Sequence, residues 1–156
     1  MKLFRVLFIL AMTPCWPGNA PGANQTRGTD LSKTVAASEE SCITILRTIN
    51  TAEGSYWGGD SAKGYAGTLE QLGPANAALL DESMSSGEKD GYTFRLVPQH
   101  TVGNHPIKHY TITARPTKRV VKGQKSFFTD ETGVIRYTIR NRAPTAADPP
   151  IDSSGR

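Results

Sequence analysis

The chain has 156 residues, 37% apolar and 21% charged, which suits one globular domain with tails and excludes two independent cores. Its formal charge of +4 is unevenly spread. Residues 21–90 hold five basic and ten acidic side chains, and residues 91–156 hold eleven basic and four acidic. Such a dipole permits a polyanion-binding face, but an acidic helical half lying on a basic sheet half produces it equally well, so net charge alone does not make a nucleic-acid binder.

Residues 1–20 open with Met1-Lys2-Leu3-Phe4-Arg5 and continue into the apolar run Val6 to Met12. That is the basic and then short apolar pattern of a secretory signal peptide, too short for a mature membrane span. Cleavage after Ala20 or Gly22 fits the small residues there. Cys15 raises a lipoprotein alternative, although Met12 and Pro14 make a poor lipidation box. The expectation is an exported protein, periplasmic or extracellular. Residues 21–35 are nearly devoid of apolar side chains and read as a disordered linker.

The next stretch, Ser38 to Trp57, reads as an amphipathic helix. Cys42, Ile45, Leu46, Ile49, Ala52 and Tyr56 recur at three- and four-residue steps and form a core-facing stripe, while Glu40, Arg47, Asn50 and Glu53 are expected to fall away from it. Ser38 is the expected N-cap, with Glu39 and Glu40 at the positive end of the helix dipole, and Gly58-Gly59 is the expected stop. With the leader removed, Cys42 is left alone, and its place on the stripe makes it a small buried hydrophobe. The Gly58 to Gly64 loop lacks the Gly-Lys-Ser/Thr ending of a phosphate cradle.

Thr68 caps a predicted one-turn helix, Leu69 to Leu72, closed by Gly73. Pro74 then starts a second predicted helix, Ala75 to Ser86, burying Ala78, Leu79 and Met84. From Gly91 the apolar period becomes two. Strands are expected over Tyr92 to Val97, stopped by Pro98; over Tyr110 to Arg115, stopped by Pro116; and over Ser126 to Thr129. The last of these turns through Asp130-Glu131-Thr132-Gly133 into a fourth, Val134 to Ile139. The fold class is therefore α+β: a long N-terminal helix packed on a roughly four-stranded antiparallel sheet, over residues 36–142. Residues 143–156 read as a flexible proline-rich tail.

The run Leu46-Arg47-Thr48-Ile49-Asn50-Thr51-Ala52-Glu53 comes first. It is followed at matching spacing by Leu69-Glu70-Gln71-Leu72-Gly73, by Ser86 to Phe94, by Tyr110 to Pro116 and by Phe127 to Arg136. Together these resemble the globular head of bacterial type IV pilin-like and type II secretion pseudopilin-like proteins. The resemblance implies a non-enzymatic structural or interaction protein with a protein partner in the cell envelope. It departs from the family in lacking a short leader ending in Gly and the roughly twenty apolar residues that form a filament core. The expectation is a head without its assembly helix.

Candidate chemistry is sparse. His100, His105 and His109 are loosely spaced in and beside a loop without a Cys or acidic residue to complete a metal shell, and read as solvated histidines. Asp130 and Glu131 could offer oxygens to calcium, but the turn already accounts for them. The basic run Arg115, Lys118, Arg119, Lys122 and Lys125 is a possible anion or partner surface, for DNA or an anionic surface. It lacks the interleaved aromatics that single-strand binders use for stacking. No carboxylate pair, Ser/His/Asp ordering or cofactor loop points to an enzyme, and no cofactor is expected.

Overall fold

A computed structural model describes residues 23–59, 62, 64–99 and 106–151, with side chains from residue 28 onward. The leader, Cys15, His100 and His105 lie outside the described residues. In chain order the elements are α1 (Ala23–Gly59), α2 (Leu69–Leu72), α3 (Glu82–Ser85), β1 (Glu88–Lys89), β2 (Tyr92–Gln99), β3 (His109–Pro116), β4 (Ser126–Asp130) and β5 (Arg136–Thr138). The strands form one antiparallel sheet in the order β1-β2-β3-β4-β5, and α1 lies across it. The α+β class follows directly. The sheet has one strand more than the roughly four expected.

The extra strand comes from a two-residue turn. Asp90 and Gly91 both have positive φ, 51° and 79°, and Lys89 pairs with Tyr92 across them. Asp-Gly is the preferred pair for such a turn, because its twist matches that of the flanking strands.

The helix stripe packs as its spacing requires. Cys42, Ile45, Leu46, Ile49 and Ala52 are buried and Tyr56 is half-buried. They meet Tyr92 and Phe94 of β2, Tyr110, Ile112 and Ala114 of β3, and Phe127 of β4. Each fully buried Leu or Ile is worth about 1.5–3 kcal/mol, so several together outweigh the roughly 1 kcal/mol that Gly54 costs inside the helix.

β5 covers only Arg136–Thr138 of the strand expected over Val134 to Ile139, and three other boundaries differ from expectation. First, α1 begins at Ala23, so Ser38 is an interior residue, not a cap, and residues 23–35 are helical instead of a disordered linker. No proline interrupts this stretch. The hydroxyls of Ser32 and Thr34 donate to the carbonyls of Gly28 and Asp30 one turn back (2.9 and 3.0 Å), and a helix nucleated by its buried half propagates at little cost per residue. Second, the helix expected over Ala75 to Ser86 shrinks to α3. Ala78 has φ 53°, which breaks the helical path, and Asp81 caps α3 by accepting from Met84 N–H (2.8 Å). Ala78 and Leu79 are exposed, Met84 is only half-buried, and Leu80 takes the core position. Third, β2 runs through Pro98. Phe94 N–H points to Gly87 C=O (2.7 Å), so by the two-residue period Pro98 turns its missing donor to that same side. Beyond Thr93 no described strand pairs there, and a proline on an open edge costs no ladder bond.

The proline-rich tail is docked as far as Ile151, contrary to the flexible tail expected. Tyr137 N–H donates to Pro149 C=O (3.0 Å) and Ile151 N–H to Ile135 C=O (2.9 Å), so the segment lies along β5. Asp148 pins the preceding loop. Its side chain takes a two-pronged ion pair from Arg142 and the N–H of Thr145 (2.8 Å), which holds its carboxyl down at about 2.

Candidate functional site

Positions 35, 39, 42, 46, 49, 53 and 56 of α1 follow alternating four- and three-residue steps, and the stripe therefore contains two acids as well as apolar residues. Their surroundings differ. Glu39 meets the β3–β4 connection: one carboxylate oxygen accepts from Lys125 N–H (2.8 Å) and the other from Lys125 Nζ (2.9 Å). Glu53 is 0% exposed and has no such cation among the described residues. Its Oε2 accepts from Ala66 N–H (2.8 Å), while Oε1 has no hydrogen-bond partner among the described residues. Burial pushes this carboxyl up to about 7 against the downward pull of the Ala66 N–H. The sequence reading placed Glu53 off the stripe, and the structure places it inside. The signal was available, since Glu53 lies four residues beyond Ile49 and three before Tyr56.

Around Glu53 the helix, sheet and loop are joined by polar and aromatic contacts. Tyr110 O–H of β3 donates to Asn50 Oδ1 (3.1 Å), and Asn50 Nδ2 donates to Thr129 Oγ1 of β4 (2.9 Å). Asn50 is thus half-buried and shared by three elements. The Tyr65 ring touches Trp57 of α1 at 4.6 Å between centroids and Tyr110 edge-on at 4.7 Å. Tyr65 N–H donates to Ile107 C=O (2.8 Å), and Gly64, at φ 82°, approaches Ile107 so closely that a Cβ would lie 2.3 Å from its carbonyl oxygen. The loop after α1 is therefore seated between the helix end and the segment before β3.

The basic run is dispersed by the fold. Arg119 turns inward, donating to Gln124 C=O, to Ser126 Oγ (3.0 Å) and to Arg140 C=O (3.1 Å). Lys125 is engaged with Glu39 and lies 5.7 Å from the Tyr137 ring centroid. Arg115 reaches Asn141 Oδ1 at 3.5 Å from an exposed position. Lys118 and Lys122 are exposed, and among the described residues neither has an ion pair. Two of the five cations thus serve the fold. On the outer face of the sheet Arg95, Thr113, Phe128 and Arg136 run in register across four strands; Arg95 is exposed, while Arg136 is half-buried and donates to Asp148 C=O (3.0 Å).

His109, exposed, pairs through Nδ1 with Glu131 Oε1 at 2.6 Å. Glu131 Oε2 also accepts from Tyr110 N–H (3.4 Å), and Asp130 Oδ1 accepts from Thr132 N–H (3.0 Å) in the β4–β5 turn. Among the described residues no group of three or more His, Cys, Asp or Glu is placed to hold a metal ion. Cys42 is fully buried, which raises its thiol pKa far above the ordinary value and keeps it protonated, and Glu39 nearby adds to that rise. Among the described residues no helix is long and apolar enough to cross a membrane. Comparison of the chain with models of known families, with curated proteins and with solved structures finds no match.

Proposed function

We propose that this chain is an exported, non-enzymatic structural or interaction protein whose pilin-like head docks on a secretion, pilus or other envelope component. The observation that carries this reading is the division of α1. Its C-terminal part is the spine of the head, with the stripe from Cys42 to Glu53 buried, while Gly28 to Thr34 are exposed and continue the same helix outward. The whole helix is about 55 Å long at 1.5 Å per residue, longer than the head needs for its core. The buried half of α1, the short helical pieces and the antiparallel meander follow one another in the order that the sequence resemblance implies.

A photo-cross-linking residue placed at Leu31 of the stalk or at Val97 on the open edge of β2, in the native host, tests this. Cross-links to pilus or secretion-machine subunits are expected at one or both sites. An exported protein that cross-links to neither overturns the reading. The competing reading is a module that holds DNA or another polyanion. It draws on the exposed Lys118, Lys122, Arg95 and Arg115, and requires retention on a polyanion column that falls steeply with salt.

A further inference from the structure

We propose that Glu53 is a proton-dependent latch: its neutral carboxyl keeps residues 64–67 closed on the end of α1, and loss of the proton releases them. Ala66 packs in the core and Tyr65 against it, and beyond that the closed segment has few attachments among the described residues. They are the bond from Ala66 N–H to Glu53, the contacts of Gly64 and Tyr65 with Ile107, the Tyr65 ring between Trp57 and Tyr110, and a bond from Gly67 N–H to Gln71 Oε1 (2.7 Å). The Ala66 contact is the one that joins this segment's backbone to the carboxyl, and Ala66 is itself fully buried.

Burial favours the neutral form of Glu53, and the Ala66 N–H is the one bonded group that opposes it among the described residues. Tyr65 faces it from the segment and Tyr110 from β3; both are hydroxyls whose ionisation the Glu53 charge opposes. The negative charges of Asp130 and Glu131 bear on Tyr110, and His109 is already paired to Glu131. Among the described residues no Lys or Arg bonds to Glu53. An ionised Glu53 would hold its charge on a single N–H, with the second oxygen unpartnered. Partly compensated burial of that kind is strongly unfavourable, and displacing residues 64–67 is the smallest movement that brings water to it.

The sign follows from linkage. The closed state binds the Glu53 proton more tightly than the open state, so opening becomes easier as pH rises from about the usual carboxyl value of 4.5 to about 7, where it levels. Within that window the opening constant should rise about tenfold per pH unit. Hydrogen exchange at Ala66, compared between the unaltered protein and Glu53→Gln over pH 5–8, reads this directly, and Trp57 emission reports the loss of its contact with Tyr65. The variant should show only the intrinsic base-catalysed increase, and the unaltered protein that increase plus the extra opening. Identical pH profiles in the two proteins overturn the latch. Should Glu53→Gln fail to fold, NMR of the unaltered protein decides: a Glu53 carboxyl carbon titrating together with the Ala66 amide supports it. A carboxyl titrating at the ordinary value, or apart from Ala66, overturns it.

Discussion

Ile49 and Lys118 show how differently single residues weigh in this protein. Ile49 is fully buried between α1 and the sheet, so Ile49→Ala removes transfer energy and leaves a cavity; denaturant unfolding should show a loss of about 2–5 kcal/mol. Lys118 is exposed and unpaired among the described residues, and Lys118→Glu should change stability by no more than about 0.5 kcal/mol. Equal losses would mean that α1 does not pack as described. Lys125 belongs with Ile49 despite its charge, because it satisfies both oxygens of Glu39 and its ammonium lies over the Tyr137 ring. The apolar members of the helix stripe were legible in the sequence through their period. The roles of Glu39, Asn50 and Glu53 were not, because hydropathy assigns acids and amides to water and only a tertiary partner makes their burial affordable.

Turns decide the elements, and two glycines illustrate different constraints. Gly91 has φ 79° with nothing within 4 Å of a built Cβ, so Gly91→Ala pays only for the left-handed backbone, about 1–2 kcal/mol. Gly64 has a similar φ but lies against the Ile107 backbone, so Gly64→Ala should cost clearly more and displace the loop. Thermal unfolding of the two variants side by side checks the order, and a milder effect at Gly64 would contradict the Gly64–Ile107 contact. The Asp90-Gly91 hairpin is legible in its dipeptide, whereas the two-residue β1 it closes is too short to show a period of its own. The helix expected over Ala75 to Ser86 failed for the opposite reason: its composition suits a helix, whereas the left-handed Ala78 and the Asp81 cap break the segment in two.

At the scale of the molecule, pH acts through two carboxyls in opposite directions. Asp148 is held at about 2, below the usual 3.8, so its contribution is complete above that usual value and is lost as pH falls through about 2. Glu53 is raised to about 7, so its contribution is complete below 4.5 and is lost as pH rises through about 7, amounting to about 3 kcal/mol at most. The melting temperature should therefore decline between pH 5 and 7 and flatten above, and Glu53→Gln should remove most of that decline. An unchanged slope in the variant would assign the pH dependence to other groups. The acidic helical half and basic sheet half do lie together, but through few direct pairs, Glu39 with Lys125 chief among them. The sequence by itself determined the α+β class, the core face of α1, the α2 turn and the β4–β5 hairpin, because each rests on a local period or a residue's own backbone preference. Only the tertiary structure decided where α1 begins, that the tail docks on β5, that Arg119 and Lys125 turn inward, and that Glu53 is buried. Those outcomes depend on partners far along the chain, whose positions no local pattern encodes.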